Sequence, residues 1–83
     1  MPKPTIAVLG LGAMGLPMAT WLVHSQFAVR GFDVAPGRAE LAAAAGVAIF
    51  ESARQAAGPA DVVLVAVRDR AQLEDLLWGP DGI

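Results

Sequence analysis

Short uninterrupted apolar runs alternate along the chain with longer stretches whose apolar positions recur every three or four residues. Thr5-Ile6-Ala7-Val8-Leu9 is the first run, stopped by Gly10. A run without polar alternation predicts a strand buried on both faces. Residues 13–25 predict a helix, with Met14, Met18 and Leu22 at i, i+4 and i+8 as core positions and Trp21 and Ser25 on the neighbouring ridge. Pro17 falls in or just past its first turn, where at most one backbone hydrogen bond is lost. Residues 27–33 predict a second strand, closed by an Ala35-Pro36-Gly37 turn.

The alanine-rich residues 38–45 favour helix, and Gly46 stands where a glycine ends one. Residues 47–50 form a short third strand in this reading, and Ser52 caps a brief helix through Ala57, stopped by Gly58-Pro59. Asp61 introduces a fourth strand over residues 62–67. Asp69 caps a last helix through about Leu77, with Leu73, Leu76 and Leu77 as its apolar face, before the turn chemistry of Gly79-Pro80-Asp81-Gly82. Four strands alternating with four helices predict an α/β domain with a parallel sheet and right-handed crossovers.

Composition narrows the function. The 83 residues are 55% hydrophobic and 17% charged with a formal net charge of −2, which suits one small domain with enough apolar surface to order itself. Six basic residues scattered among eight acidic ones form no basic stripe, so a nucleic-acid module is not expected. With no cysteine and a single histidine, His24, a disulfide scaffold and a Cys- or multi-His metal site are excluded, and His24 reads as an exposed residue near a helix end. The charge-free run from Pro4 to Val29 raises a signal peptide or membrane span as an alternative. Gly10, Gly12, Gly15 and Pro17 inside that run argue against one apolar helix.

Gly10-Leu11-Gly12-Ala13-Met14-Gly15 is a G-x-G-x-x-G element placed between the first strand and the first helix, with Asp33 ending the second strand 18 residues past Gly15. That context predicts dinucleotide binding. Gly10 permits the tight exit from the strand, Gly12 lets a diphosphate approach the backbone, and Gly15 lets the helix pack near the sheet. Backbone N–H groups of Leu11, Gly12, Ala13 and Met14 are the candidate phosphate donors at the positive end of the helix dipole. No lysine or serine follows as in a nucleoside triphosphate loop. Asp33 is expected to accept from the adenosine ribose hydroxyls, which favours NAD, while Arg38 is placed to reach the 2′-phosphate of NADP and keeps that cofactor open.

The string from Ile6 to Ala19, G-L-G-x-M-G-x-P-M-A in its core, resembles the amino-terminal signature of the β-hydroxyacid dehydrogenases, which include 3-hydroxyisobutyrate dehydrogenase and, more distantly, 6-phosphogluconate dehydrogenase. Gly31-Phe32-Asp33-Val34-Ala35-Pro36 resembles the second-strand ending of NAD-preferring members. NADP-preferring members tend to carry Asn-Arg-Thr there with a basic residue three positions on, where Arg38 stands. Residues 60–67 resemble the family's fourth strand and residues 78–83 its following turn. Val67 and Arg68 occupy the positions of a leucine-proline pair that touches the cofactor's adenosine half.

The resemblance implies a Rossmann-type parallel sheet of order 3-2-1-4, the first half of a doubly wound domain, with cofactor contacts from residues 10–15, Asp33, Val34, Arg38, Val67 and Arg68. It further implies a cytoplasmic oxidoreductase, homo-oligomeric when full length, that moves a hydride between a nicotinamide cofactor and a small 3-hydroxy acid. The family's serine- or threonine-containing substrate loop, Gly-Gly segment and catalytic lysine and asparagine have no counterpart here, and Lys3 is the only lysine. The expectation is therefore a dinucleotide-binding part without a catalytic residue or metal, belonging to a longer enzyme whose helical substrate domain lies outside it. A free-standing, non-catalytic dinucleotide-binding or interaction module is the alternative.

Overall fold

A computed structural model describes residues 3–67 and 70–79, without the side chains of Asp75 and Leu76. Its elements are β1 (Thr5–Leu9), α1 (Gly15–His24), β2 (Ala28–Phe32), α2 (Pro36–Ala44), β3 (Ala48–Ile49), α3 (Ala53–Ala57), β4 (Val62–Val65) and α4 (Arg70–Trp78). The strands pair in parallel in the order β3-β2-β1-β4. This is the expected Rossmann-type order. The chain reverses direction across the sheet at β1, which places a crevice between the carboxyl ends of β1 and β4.

Period-two geometry divides β1 between two cores. Ile6 and Val8 face a cluster built with Leu11, Ala19, Leu22, Val29, Ala42 and Val47, under α1 and α2. Leu9 faces Ala53 and Ala56 of α3 on the other side, with Phe32, Phe50 and Val67 packed around them. The β1–β4 register is tied at both ends. At the amino end the Thr5 amide donates to the Asp61 carboxylate at 2.8 Å while the Asp61 amide donates to the Thr5 carbonyl, and at the carboxyl end the Ala66 amide reaches the Leu9 carbonyl.

Helix ends follow local chemistry. Ser52 caps α3 by accepting from the Gln55 amide at 3.1 Å, as anticipated. Arg30, projecting from β2, closes the other end of α3: its Nε and Nη2 donate to the Ala56 and Gln55 carbonyls at 2.9 Å, and its guanidinium lies 3.9 Å from the Phe50 ring centre. A cation on the last carbonyls of a helix satisfies acceptors that lack an intrahelical donor. Gly46, at φ +102°, ends α2 as expected, and Gln26, at φ +69°, takes the same left-handed position after α1.

Several expectations are corrected. α1 begins at Gly15, two residues later than predicted, because no Ser, Thr, Asp or Asn caps it and residues 13 and 14 remain a turn. The buried stripe of α1 is Gly15, Ala19 and Leu22, and Met14, expected in the core, is 76% exposed. Met14 precedes the helix, in the turn at residues 13 and 14, while Met18 is half-buried and Leu22, on the same spacing, is buried as expected. α2 begins at Pro36, because proline's fixed φ suits the first helical position. β4 ends at Val65, two residues early, and Leu73 of α4 is exposed. The expected cap Asp69, the Leu76 side chain and the turn at residues 80–82 lie outside the described residues.

Candidate dinucleotide site

The crevice occupies about 290 Å³ at the switch point. Gly10 and Gly12 line it from the end of β1, Phe32, Asp33, Val34 and Ala35 from the end of β2, Arg38 from the first turn of α2, and Ala66, Val67 and Gln72 from the β4 side. Ligand sites run to roughly 300–1,000 Å³, so this one has room for a nucleotide half rather than a whole dinucleotide.

The three loop glycines are small for different reasons. Gly10, at φ +99°, would place a Cβ 2.3 Å from the Ala66 carbonyl oxygen, and a Cβ on Gly15 would fall 1.7 Å from the Gly10 carbonyl oxygen. Both are required by the chain's own packing. A Cβ on Gly12 would meet nothing within 4 Å. The space over Gly12 opens into the crevice, so a side chain there would obstruct an incoming group and no part of the fold. That vacancy fits a diphosphate laid against the backbone.

The loop's hydrogen bonds sort its amides. Gly10 donates to the Phe32 carbonyl at 2.8 Å and prolongs the β1–β2 pairing. Leu11 donates to Asp33 Oδ2 at 2.6 Å. The structure thus commits Leu11 to Asp33 in place of the phosphate contact expected of it, and its side chain is buried in the core. Among the described residues, the amides of Gly12, Ala13 and Met14 have no acceptor, and they lead into α1, whose first turn carries no side-chain cap. Unpaired N–H groups at a helix start form an anion site.

Asp33 sits half-buried on the crevice rim, with Oδ1 accepting from the Ala35 amide at 2.8 Å and Oδ2 held by Leu11. A carboxylate offers about four acceptor positions, so with these two bonds about two remain for a further donor. Arg38 is exposed at the rim, Val34 is exposed beside it, and Val67 lies on the opposite wall. Arg68 lies outside the described residues. Phe32, Ala35, Ala66 and Gln72 also line the crevice and were not anticipated. Ala66 is betrayed only by the glycine contacts, and Gln72 by no sequence signal.

Elsewhere, Lys3 donates to the Ser25 carbonyl and lies 4.8 Å from the Phe27 ring centre, at the amino end of β1 and so at the opposite end of the sheet from the crevice. His24 is exposed at the end of α1. Among the described residues no group of three or more His, Cys, Asp or Glu side chains is placed to hold a metal, and no helix is long and apolar enough to cross a membrane.

Residues 5–83 match the family described as the NAD binding domain of 6-phosphogluconate dehydrogenase. A probable 3-hydroxyisobutyrate dehydrogenase of Mycobacterium tuberculosis is 58% identical over 60 residues, covering 72% of this chain and 20% of that protein. Among solved structures, 3-hydroxyisobutyrate dehydrogenase of Mycobacterium tuberculosis with L-serine superimposes with a TM-score of 0.77 at 54% identity, over 81% of this chain and 23% of that one. A Myxococcus stipitatus imine reductase variant in complex with NAD+ gives a TM-score of 0.88 at 26% identity, over 95% of this chain and 27% of that one. The chain spans about a fifth to a quarter of the length of the proteins it resembles.

Proposed function

The chain belongs to the family of NAD-binding domains of 6-phosphogluconate dehydrogenase, and from that membership we propose that the crevice at the end of β1 holds the adenosine diphosphate half of the cofactor. Gly12, Ala13 and Met14 donate their amides to the diphosphate, Asp33 accepts from the ribose hydroxyls, and Val34 and Val67 flank the adenosine. Arg38 stands where a 2′-phosphate would project, so NADP is also taken, more weakly than NAD because Asp33 faces it. The observation that carries this reading is the open space over Gly12, beside amides with no acceptor of their own.

The bound nicotinamide supplies hydride acceptance and donation. This chain's residues bind and orient: the loop fixes the diphosphate and Asp33 fixes the ribose, which together aim the rest of the cofactor outward across the carboxyl edge of the sheet. The catalytic lysine of the family has no counterpart at the crevice, since Lys3 lies at the sheet's far end, which supports assigning the proton transfer that accompanies oxidation of a hydroxyl to another part of a longer protein. The unit then serves a longer oxidoreductase acting on a small 3-hydroxy acid, as the names of its relatives suggest. The apolar outer side of β4 is the place where the sheet continues into a second half.

Titration calorimetry with NAD and NADP tests the reading. Asp33→Ala is expected to weaken NAD binding by about 10- to 100-fold, the worth of hydrogen bonds to a charged group, and to weaken NADP binding less. Equal losses for the two cofactors would remove Asp33 from the ribose.

A further inference from the structure

We infer that Asp33 is a positioning residue for the phosphate loop as well as a ribose ligand: its carboxylate ties the turn after β1 to the turn after β2 and thereby holds the loop open for a diphosphate. This rests on the diphosphate reading above and extends it to a part of the ligand that Asp33 does not touch.

One oxygen of the carboxylate accepts from the Leu11 amide at 2.6 Å and the other from the Ala35 amide at 2.8 Å. The two donors are 24 residues apart in sequence and belong to different crossings of the sheet. Between the Gly10 amide, which extends the β1–β2 pairing, and the Leu16 amide, which closes the first turn at the Gly12 carbonyl, the bond to Asp33 is the loop's one side-chain anchor among the described residues. The buried Leu11 side chain seats that stretch in the core, and with glycines on both sides of it the bond to Asp33 adds the hydrogen bond that fixes the orientation of its peptide. With the Leu11 amide committed to Asp33, the amides of Gly12, Ala13 and Met14 are the ones in the loop left without an acceptor among the described residues.

An acid beside a diphosphate is electrostatically unfavourable on its own. Two N–H donors on its two oxygens spread that charge and fix the carboxylate, so the benefit of an ordered loop is kept. The bond to Ala35 is local to Asp33's own turn, whereas the bond to Leu11, 22 residues away, is the one that reaches the phosphate loop.

The test separates the two roles by ligand. Adenosine diphosphate and its analogue lacking both ribose hydroxyls are titrated into the chain and into Asp33→Ala and Asp33→Asn, with melting curves to establish that each variant is folded. The analogue binds the unaltered chain through the diphosphate and base, so a carboxylate acting on the ribose alone leaves its affinity unchanged on substitution. The clamp predicts that Asp33→Ala weakens the analogue by about tenfold or more. Asn keeps one acceptor oxygen and falls between. Faster exchange of the Leu11 amide proton in Asp33→Asn gives a second readout, available even where Asp33→Ala fails to fold. Unchanged analogue affinity in the folded variants overturns the clamp while leaving the diphosphate site standing. Failure of the unaltered chain to bind either nucleotide overturns the site, and the clamp's purpose with it.

Discussion

β1 and β4 are neighbours in one sheet and nearly alike in composition, yet they live in different environments. In β1, Ala7, Val8 and Leu9 are fully buried; in β4, paired residue for residue with it, Val62, Val63 and Val65 are 36–42% exposed. The difference lies in what covers them. β1 has β2 on one side and β4 on the other, with α1 packed on one face and α3 on the other, whereas α3 lies over β1 and β2. Hydrophobicity alone therefore states that a strand is fit for burial, and the neighbours decide whether it is buried. The same asymmetry locates function, since the glycine loop grows from the strand held on all sides and its geometry inherits that rigidity.

The contrast is tested most severely by placing a charge on each strand. Val8→Asp buries a carboxylate with no partner and is expected to abolish folding, a loss of several kcal/mol. Val63→Asp, on the half-exposed strand, is expected to cost less than about 1 kcal/mol. Denaturant melts of the two variants give both values. Comparable losses would mean that β4 is as enclosed as β1. In a protein whose sheet continues past β4, the second loss should rise toward the first.

The glycines sharpen the same comparison at smaller scale. Gly15→Ala places a methyl against the Gly10 carbonyl, forces α1 off its seat, and is expected to cost about 1–3 kcal/mol, the range for overpacking a tight contact. Gly12→Ala, with open space around it, should leave the melting midpoint within experimental error of the unaltered chain. Thermal melts distinguish the two, and a Gly12 variant as unstable as the Gly15 one would place Gly12 among the packing glycines.

The sequence made the scaffold legible because strand, turn and helix were each marked by local chemistry. The unbroken run at residues 5–9, the glycine offsets, the cap at Ser52 and the terminator at Gly46 all read correctly. The order β3-β2-β1-β4 came from the family resemblance, not from periodicity. Met14 is exposed because α1 starts only at Gly15 and helical spacing does not apply to the turn before it, whereas Leu22, on the same spacing, is buried. What else stayed hidden was set by contacts between distant segments. Leu11 was assigned to the phosphate because its amide's true acceptor stands 22 residues away. Arg30 and Gln72 carry no motif: one acquires its role from the end of α3, the other from the wall it shares with Val67.

The central claim is that backbone amides around Gly12 receive the cofactor's diphosphate, and titration of NAD into the Gly12→Val variant tests it most directly. The account predicts a folded protein with an unchanged melt and no measurable NAD binding, because the new side chain fills space that only the ligand uses. NAD affinity equal to that of the unaltered chain would contradict it.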